Sequence, residues 1–194
     1  RWRTIAPNAE ILAEVPTARP ARLVWEQRRA PELARRTGID LWHGPHYTMP
    51  LRLAVPSVVT VHDLTFFDHP EWHERTKVAF FRRMIRASVR RASGLIAVSD
   101  HTARRLAAVL APKTPVTVAN HGVDHDRFTP AADRDADLDL LAHTGIAEPY
   151  VAFVGTIEPR KDVPALVEAF ARIADAHPAL RLVLAGADGW GAEA

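Results

Sequence analysis

The segment Tyr150 to Gly191, YVAFVGTIEPRKDVPALVEAFARIADAHPALRLVLAGADGWG, constrains the chain most. An apolar run, a polar turn, an amphipathic helix and a second apolar run follow one another within it. Tyr150 to Val154 is apolar and bounded by Pro149 and Gly155, the pattern of a buried parallel strand. Leu166, Phe170, Ile173 and Ala174 then recur at helical spacing, and Leu180 to Ala185 is closed by Gly186. Strand, helix and strand make one βαβ unit with a right-handed crossover. In open α/β sheets ligands gather at the carboxyl ends of strands, which here selects the turn from Gly155 to Lys161. Gly155 leaves room for a close approach and Pro159 stiffens the backbone. Arg160 and Lys161 set two cations just before a helix N-terminus that already favours anions. A phosphate-bearing ligand fits this turn, and two merely solvated loop cations fit the same residues.

Composition excludes several classes. With 47% hydrophobic and 25% charged residues, the 194-residue chain has the balance of a globular protein, long enough for one ample domain or two partial ones. The formal charge of +2 does not point to nucleic acid. The absence of cysteine excludes disulfides, thiolate catalysis and Cys-ligated metals, and fits a reducing compartment. No apolar stretch approaches the ~20 residues of a transmembrane helix. The opening RWRTIAPNAE has neither Met nor the pattern of a signal peptide, and LAGADGWGAEA breaks off early in a domain, so the chain is expected to be a fragment.

Taken in order, Ala21 to Thr37 is broadly helical, with Leu23, Val24 and Leu33 in the pattern, a kink or split at Pro31 and a stop at Gly38. Ile39 to His43 is a short strand that delivers His43, Gly44, Pro45, His46 and Tyr47 onto a loop. The pairs His43 with His46, His69 with His73, and His121 with His125 have spacings that metals use. None has a cysteine or a clear acidic third ligand, so no metal site is assigned. Ser57 to His62 is a β-branched strand whose carboxyl end presents His62 and Asp63. A histidine there can hydrogen-bond a ligand hydroxyl or simply cap the strand.

Glu74 to Ala92 is a helix with Phe81, Ile85, Val89 and Ala92 on one stripe and Arg82, Arg83, Arg86 and Arg90 on another. The basic stripe is either a solvated face or an attachment to anionic lipid headgroups. Gly94 to Ser99 is a third strand, and Ser99 or Asp100 caps the helix from His101 to Leu110, which makes Ser99 structural rather than catalytic. Pro115 to Ala119 is a further strand ending in NHGVD, where Gly122 permits a tight or positive-φ turn. The Asp- and Ala-rich run from Thr129 to Glu148 reads as a connection between domains at 1–130 and 149–194, with the linker at 131–148.

Four of these stretches also resemble a known family. GTIEPRKDVPALVEAF is similar to the start of the second domain in retaining GT-B glycosyltransferases of family four, where the pattern is G-T-x-E-P-R-K-N. VVTVHDLTFF, LIAVSDHTARRL and VANHGVDHDRFTP match in the same order and spacing, so the resemblance covers nearly everything from Asp40 onward and leaves Arg1 to Ala30 unplaced. The family usually has N-G-V-D where this chain inserts or substitutes His121, and many relatives carry a second phosphate-binding Arg where Thr156 stands.

The resemblance implies an α/β fold of GT-B type: two Rossmann-like parallel-sheet domains, the first incomplete and the second only begun. It implies transfer of a sugar, with retention and without metal or other cofactor, from a nucleotide-sugar donor to a glycan, lipid-linked or small-molecule acceptor. His62 would lie against the donor sugar, with Arg160 and Lys161 as candidates to stabilise the leaving diphosphate as its charge builds. Gly155, Thr156, Asp63, His46 and Gly122 would line the substrates. A cytoplasmic location follows, with peripheral contact on the inner face of the plasma membrane through the basic helix. The competing readings are a non-catalytic GT-B-like nucleotide- or sugar-binding module, an inactive fragment, or a GT-B sugar epimerase.

Overall fold

The structure, a computed structural model, describes residues 6–12, 14–129 and 134–189. The opening Arg1 to Ile5, part of the 131–148 stretch, and Trp190 and Gly191 of the second apolar segment lie outside the described residues. The chain divides into two compact units, residues 1–121 and 122–194.

The first unit runs α1 (Arg19–Arg28), α2 (Ala30–Thr37), β1 (Trp42–Gly44), β2 (Ser57–Val61), α3 (Thr65–Asp68), a 3-10 turn (Pro70–Trp72), α4 (Arg75–Arg91), β3 (Gly94–Ala97), α5 (Asp100–Leu110) and β4 (Val116–Val118). Its four strands pair in parallel in the order β1-β2-β3-β4, with Val59 opposite both Gly44 and Leu95. β2 is buried nearly throughout, as its run of β-branched residues requires, and Val59 and Val61 have no exposed surface. Ile85 and Val89 of α4, Leu95 of β3 and Leu106 of α5 close the core around it.

Local chemistry sets the helix ends. α1 and α2 are separate because Pro31, in the first turn of α2, cannot continue a helix from α1, and Gly38 ends α2 in the left-handed region at φ 62°. Ser99 caps α5, accepting the Thr102 N–H at 3.1 Å. Val24 departs from the expected stripe and faces solvent. β1 begins later than Ile39, so His43 and Gly44 lie within the strand and not on the loop beyond it. The reason is main-chain pairing: Trp42 N–H donates to Pro56 O at 3.0 Å, the entry to β2. Gly44 is held there by crowding, since a Cβ would lie 2.3 Å from the Thr48 carbonyl oxygen.

After β1 the chain turns at Tyr47, a buried residue at φ 62°. An aromatic residue in that region is strained, and its surroundings hold it. Its N–H donates to Thr60 O at 3.0 Å, and its phenol donates to the Asp63 carboxylate. Asp63 Oδ1 also accepts the Thr65 N–H at 3.0 Å and the Thr65 hydroxyl at 2.7 Å, and His73 Nε2 donates to that hydroxyl oxygen at 2.9 Å. Burial pushes the Asp63 carboxyl up, but the hydrogen bonds from Thr65 and Tyr47, with His73 nearby, outweigh it and hold it below the usual carboxylate range.

The second unit contains α6 (Arg134–His143), β5 (Tyr150–Val154), a 3-10 turn (Pro159–Lys161), α7 (Val163–Ala174) and β6 (Arg181–Ala185). β5 and β6 pair in parallel from Tyr150 opposite Arg181 to Val154 opposite Ala185, giving the expected βαβ order. The stretch read as a connection carries α6, whose Ala and Leu residues are strong helix formers. β5 is not buried: Val151 is 42% and Val154 81% exposed, because two strands and one helix do not enclose them.

Two outcomes follow from the first unit. Gly44→Ala is expected to destabilise it by about 1–3 kcal/mol through overpacking against Thr48, read as a lower denaturant midpoint with an unchanged slope. Asp63→Asn is expected to cost about 1–2 kcal/mol at neutral pH, less than a fully buried charged hydrogen bond because the carboxylate is partly exposed. Because the folded-state pKa is depressed, that difference should be complete above the unfolded value near 4 and disappear as pH falls through the folded value, when denaturation is followed across pH.

Candidate functional site

The parallel register brings the ends of β1 and β2 to one edge of the first sheet, where the residues after each strand meet. His62 follows β2 and sits in the middle of a ring cluster. The His46 ring centroid lies 5.5 Å away and tilted, Tyr47 5.5 Å away edge-on, and His121 5.5 Å away and stacked. His62 Nε2 donates to the Pro45 carbonyl at 2.8 Å. That bond leaves Nδ1 of the neutral ring as an acceptor, able to receive a hydroxyl proton from a ligand. The backbone behind it is also fixed, since the Thr102 hydroxyl donates to His62 O at 2.9 Å and ties the ring's position to the first turn of α5.

The sequence-predicted residues of the first unit separate into two groups. His62 and His46 come together at this edge, His46 being exposed. Asp63 joins the network of Tyr47 and Thr65, its carboxylate accepting from both. His43, within β1, bonds its Nε2 to the buried Thr60 hydroxyl at 2.9 Å. His121, which the sequence offers as a departure from N-G-V-D and as one of a metal-spaced pair with His125, stacks on His62. No sequence spacing announces that contact, because 59 positions separate the two residues and only the β2-β3-β4 order brings them together. Among the described residues no group of three His, Cys, Asp or Glu is placed to hold a metal ion.

The second unit carries the other predicted residues on its own strand-end turn. Gly155 N–H donates to Ala185 O at 2.9 Å, Ile157 N–H to Ala187 O at 3.0 Å, and Gly189 N–H to Ile157 O at 2.9 Å. The turns after β5 and β6 therefore run side by side, an approach that needs Gly186, whose Cβ would fall 1.9 Å from Gly155 O. Thr156 is exposed on this ridge. Arg160 does not present an unpaired cation: its Nε lies 2.5 Å from the Glu158 carboxylate. Lys161 is exposed at the end of the 3-10 turn, and Asp162 opens α7 at φ 48° without capping it through its side chain. Gly122 begins this unit, exposed and outside the positive-φ region that a tight turn would have used.

Comparison with known proteins agrees with the parallel α/β architecture. The chain superposes on sucrose-phosphate synthase from Thermosynechococcus elongatus with a TM-score of 0.67, over 92% of this chain and 45% of that one, at 21% identity. That likeness establishes the shared fold, a GT-B glycosyltransferase one. The chain is also 26% identical over 152 residues to the O-antigen chain mannosyltransferase B of Escherichia coli, covering 77% of this chain and 39% of the relative. It thus spans less than half the length of either protein. The sequence pattern of Glycosyltransferase Family 4 matches residues 7–127, so most of the Arg1 to Ala30 segment that the motifs left unplaced, from Pro7 on, is part of the matched region, while the turn at Gly155 lies beyond it. With more than half of the chain matched, including the strand edge that holds His46, His62 and His121, the protein belongs to Glycosyltransferase Family 4.

Proposed function

We propose that the chain serves in a retaining glycosyltransferase that moves a sugar from a nucleotide-sugar donor to a glycan or lipid-linked acceptor without a metal ion. The observation that carries this reading is His62, fixed at the carboxyl edge of β2 with Nδ1 turned to accept, in a chain of this family. In this reading His62 holds a hydroxyl of the donor sugar, with His46 and His121 forming the walls around it. The Gly155 to Lys161 turn meets the donor diphosphate. Lys161 supplies the cation there, and Arg160 stiffens the turn through Glu158. Charge grows on the leaving diphosphate in the transition state, so a fixed ammonium contributes more there than to the bound donor. The naming of the Escherichia coli relative supports mannose as the sugar and a cell-envelope polysaccharide as the product class.

Location belongs to the same proposal. No helix of the described residues is long and apolar enough to cross a membrane. We place the protein in the cytoplasm, with α4 meeting the anionic inner face of the plasma membrane. Arg82 is tied to the Phe66 and Phe67 carbonyls, at 2.6 and 3.3 Å, and Arg86 lies over the Phe67 ring at 4.8 Å. The exposed Arg83, Arg90 and Arg91 are then the headgroup contacts.

Lys161→Ala is expected to lower kcat about 10²-fold or more with a smaller change in donor KM, and a donor with a better leaving group should rescue it more than it rescues His62→Ala. Steady-state kinetics decide this, and a near-normal kcat in Lys161→Ala, or equal rescue of both variants, would contradict the phosphate assignment. A chelator in the same assay should leave the rate unchanged. Flotation with vesicles should show binding that requires anionic lipid and weakens with salt, given a Debye length of about 10 Å at 0.1 M. Equal binding to neutral vesicles, or none to either, would remove the membrane contact.

A further inference from the structure

Helix α1 meets the loop after β1 through polar groups, where an apolar face is the ordinary choice. Glu26 and Gln27 share the half-buried side of α1 with Leu23, three and four positions after it, while Val24 and Arg28 are exposed. The Gln27 carboxamide is engaged at both ends: its Nε2–H donates to Met49 O at 3.0 Å and its Oε1 accepts the Leu51 N–H at 3.1 Å. A carbonyl can only accept and a backbone N–H only donate, so this clamp fits residues 49–51 in one register. Next to it the Glu26 carboxylate accepts the Thr48 hydroxyl, at 3.0 and 3.2 Å to its two oxygens. Burial pushes the Glu26 carboxyl up despite that bond, so the side chain is held here against its own desolvation. Leucine or alanine would cover the loop without that penalty. What the polar pair adds is one fixed backbone path.

That path leads to the candidate site. The Thr48 N–H donates to His46 O at 2.7 Å, and the Thr48 carbonyl lies against Gly44, where no side chain would fit. Tyr47 between them is held at φ 62° by its N–H to Thr60 O at 3.0 Å. Residues 44–51 are thus packed with little slack, and a shift at Thr48 or Met49 passes on to Pro45 and His46. Pro45 O is the group that takes the His62 Nε2–H, at 2.8 Å. We infer that Gln27 and Glu26 are positioning residues for His62: by fixing residues 48–51 they keep Pro45 O where it holds the ring with Nδ1 as the acceptor. Both act through the loop and not on a ligand. Their effect on sugar transfer rests on the transferase reading above, whereas their hold on the His62 ring does not.

The test reads the His62 tautomer by long-range proton–nitrogen NMR correlation of the imidazole rings at pH about 8, above the usual histidine pKa of about 6.5. His62→Gln identifies the signal by its loss among the ten histidines. In the unaltered protein the Nε2–H form should dominate. Gln27→Met keeps the length and helix propensity of the side chain but makes neither bond. It should lower the ratio of the Nε2–H form to the Nδ1–H form about fivefold, the scale of one lost hydrogen bond. Thr48→Val removes only the Glu26 bond at nearly constant shape and should move the ratio the same way by less. It carries the test if Gln27→Met does not fold. The ratio belongs to the folded protein's own resonances, so lower stability alone does not move it. An unchanged ratio in whichever of the two variants folds would make the clamp merely structural and overturn the proposal. So would dominance of the Nδ1–H form in the unaltered protein. No substrate is present, so failure of the transferase reading, seen as no turnover of GDP-mannose, leaves this result untouched.

Discussion

Parallel pairing of β2 with both of its neighbours is the constraint on which the first unit depends. Val59 and Val61 are wholly covered because β1 and β3 flank the strand and helices lie over it, and the same parallel register sends every strand end in one direction. His62 and His46 meet because β1 and β2 finish at the same edge, and His121 joins them because β4 does as well. Any slip of one residue would turn the valines outward and the histidine away together. Core and candidate site are therefore two consequences of one register.

Behind that edge lies a second layer that fixes the first. Tyr47 holds a left-handed backbone through its N–H to Thr60, and its phenol joins Thr65 on the Asp63 carboxylate. The loop that carries His46 is thus tied to the strand that carries His62. A strained residue beside a candidate site, retained by several hydrogen bonds, is the arrangement expected where side chains must be held in place before a ligand arrives. Asp63 contributes by orienting this loop, although its position next to His62 in sequence first marks it as a substrate contact.

Much of this was legible in the residues. The β-branched run at Ser57, the Pro31 split, the Gly38 stop and the Ser99 cap each follow from local backbone chemistry, and each is found where that chemistry puts it. What depends on distant packing was not legible. The burial expected for Tyr150 to Val154 from its apolar composition fails, because composition reports what a strand can bury against and not whether neighbours enclose it. The Arg160 pairing with Glu158 competes with the ligand role that charge alone suggests. The His121 contact with His62 likewise exists only through strand order.

Under the proposed function, ligands meet this chain at the carboxyl ends of its parallel strands. Mapping backbone amide shifts during titration with guanosine diphosphate and with uridine diphosphate tests it most directly in the second unit. Saturable shifts are expected at Gly155, Thr156 and Lys161, with little change at Tyr150 and Arg181, at the opposite ends of β5 and β6. Shifts centred on Tyr150 and Arg181, or an absence of shifts with both nucleotides, would contradict it.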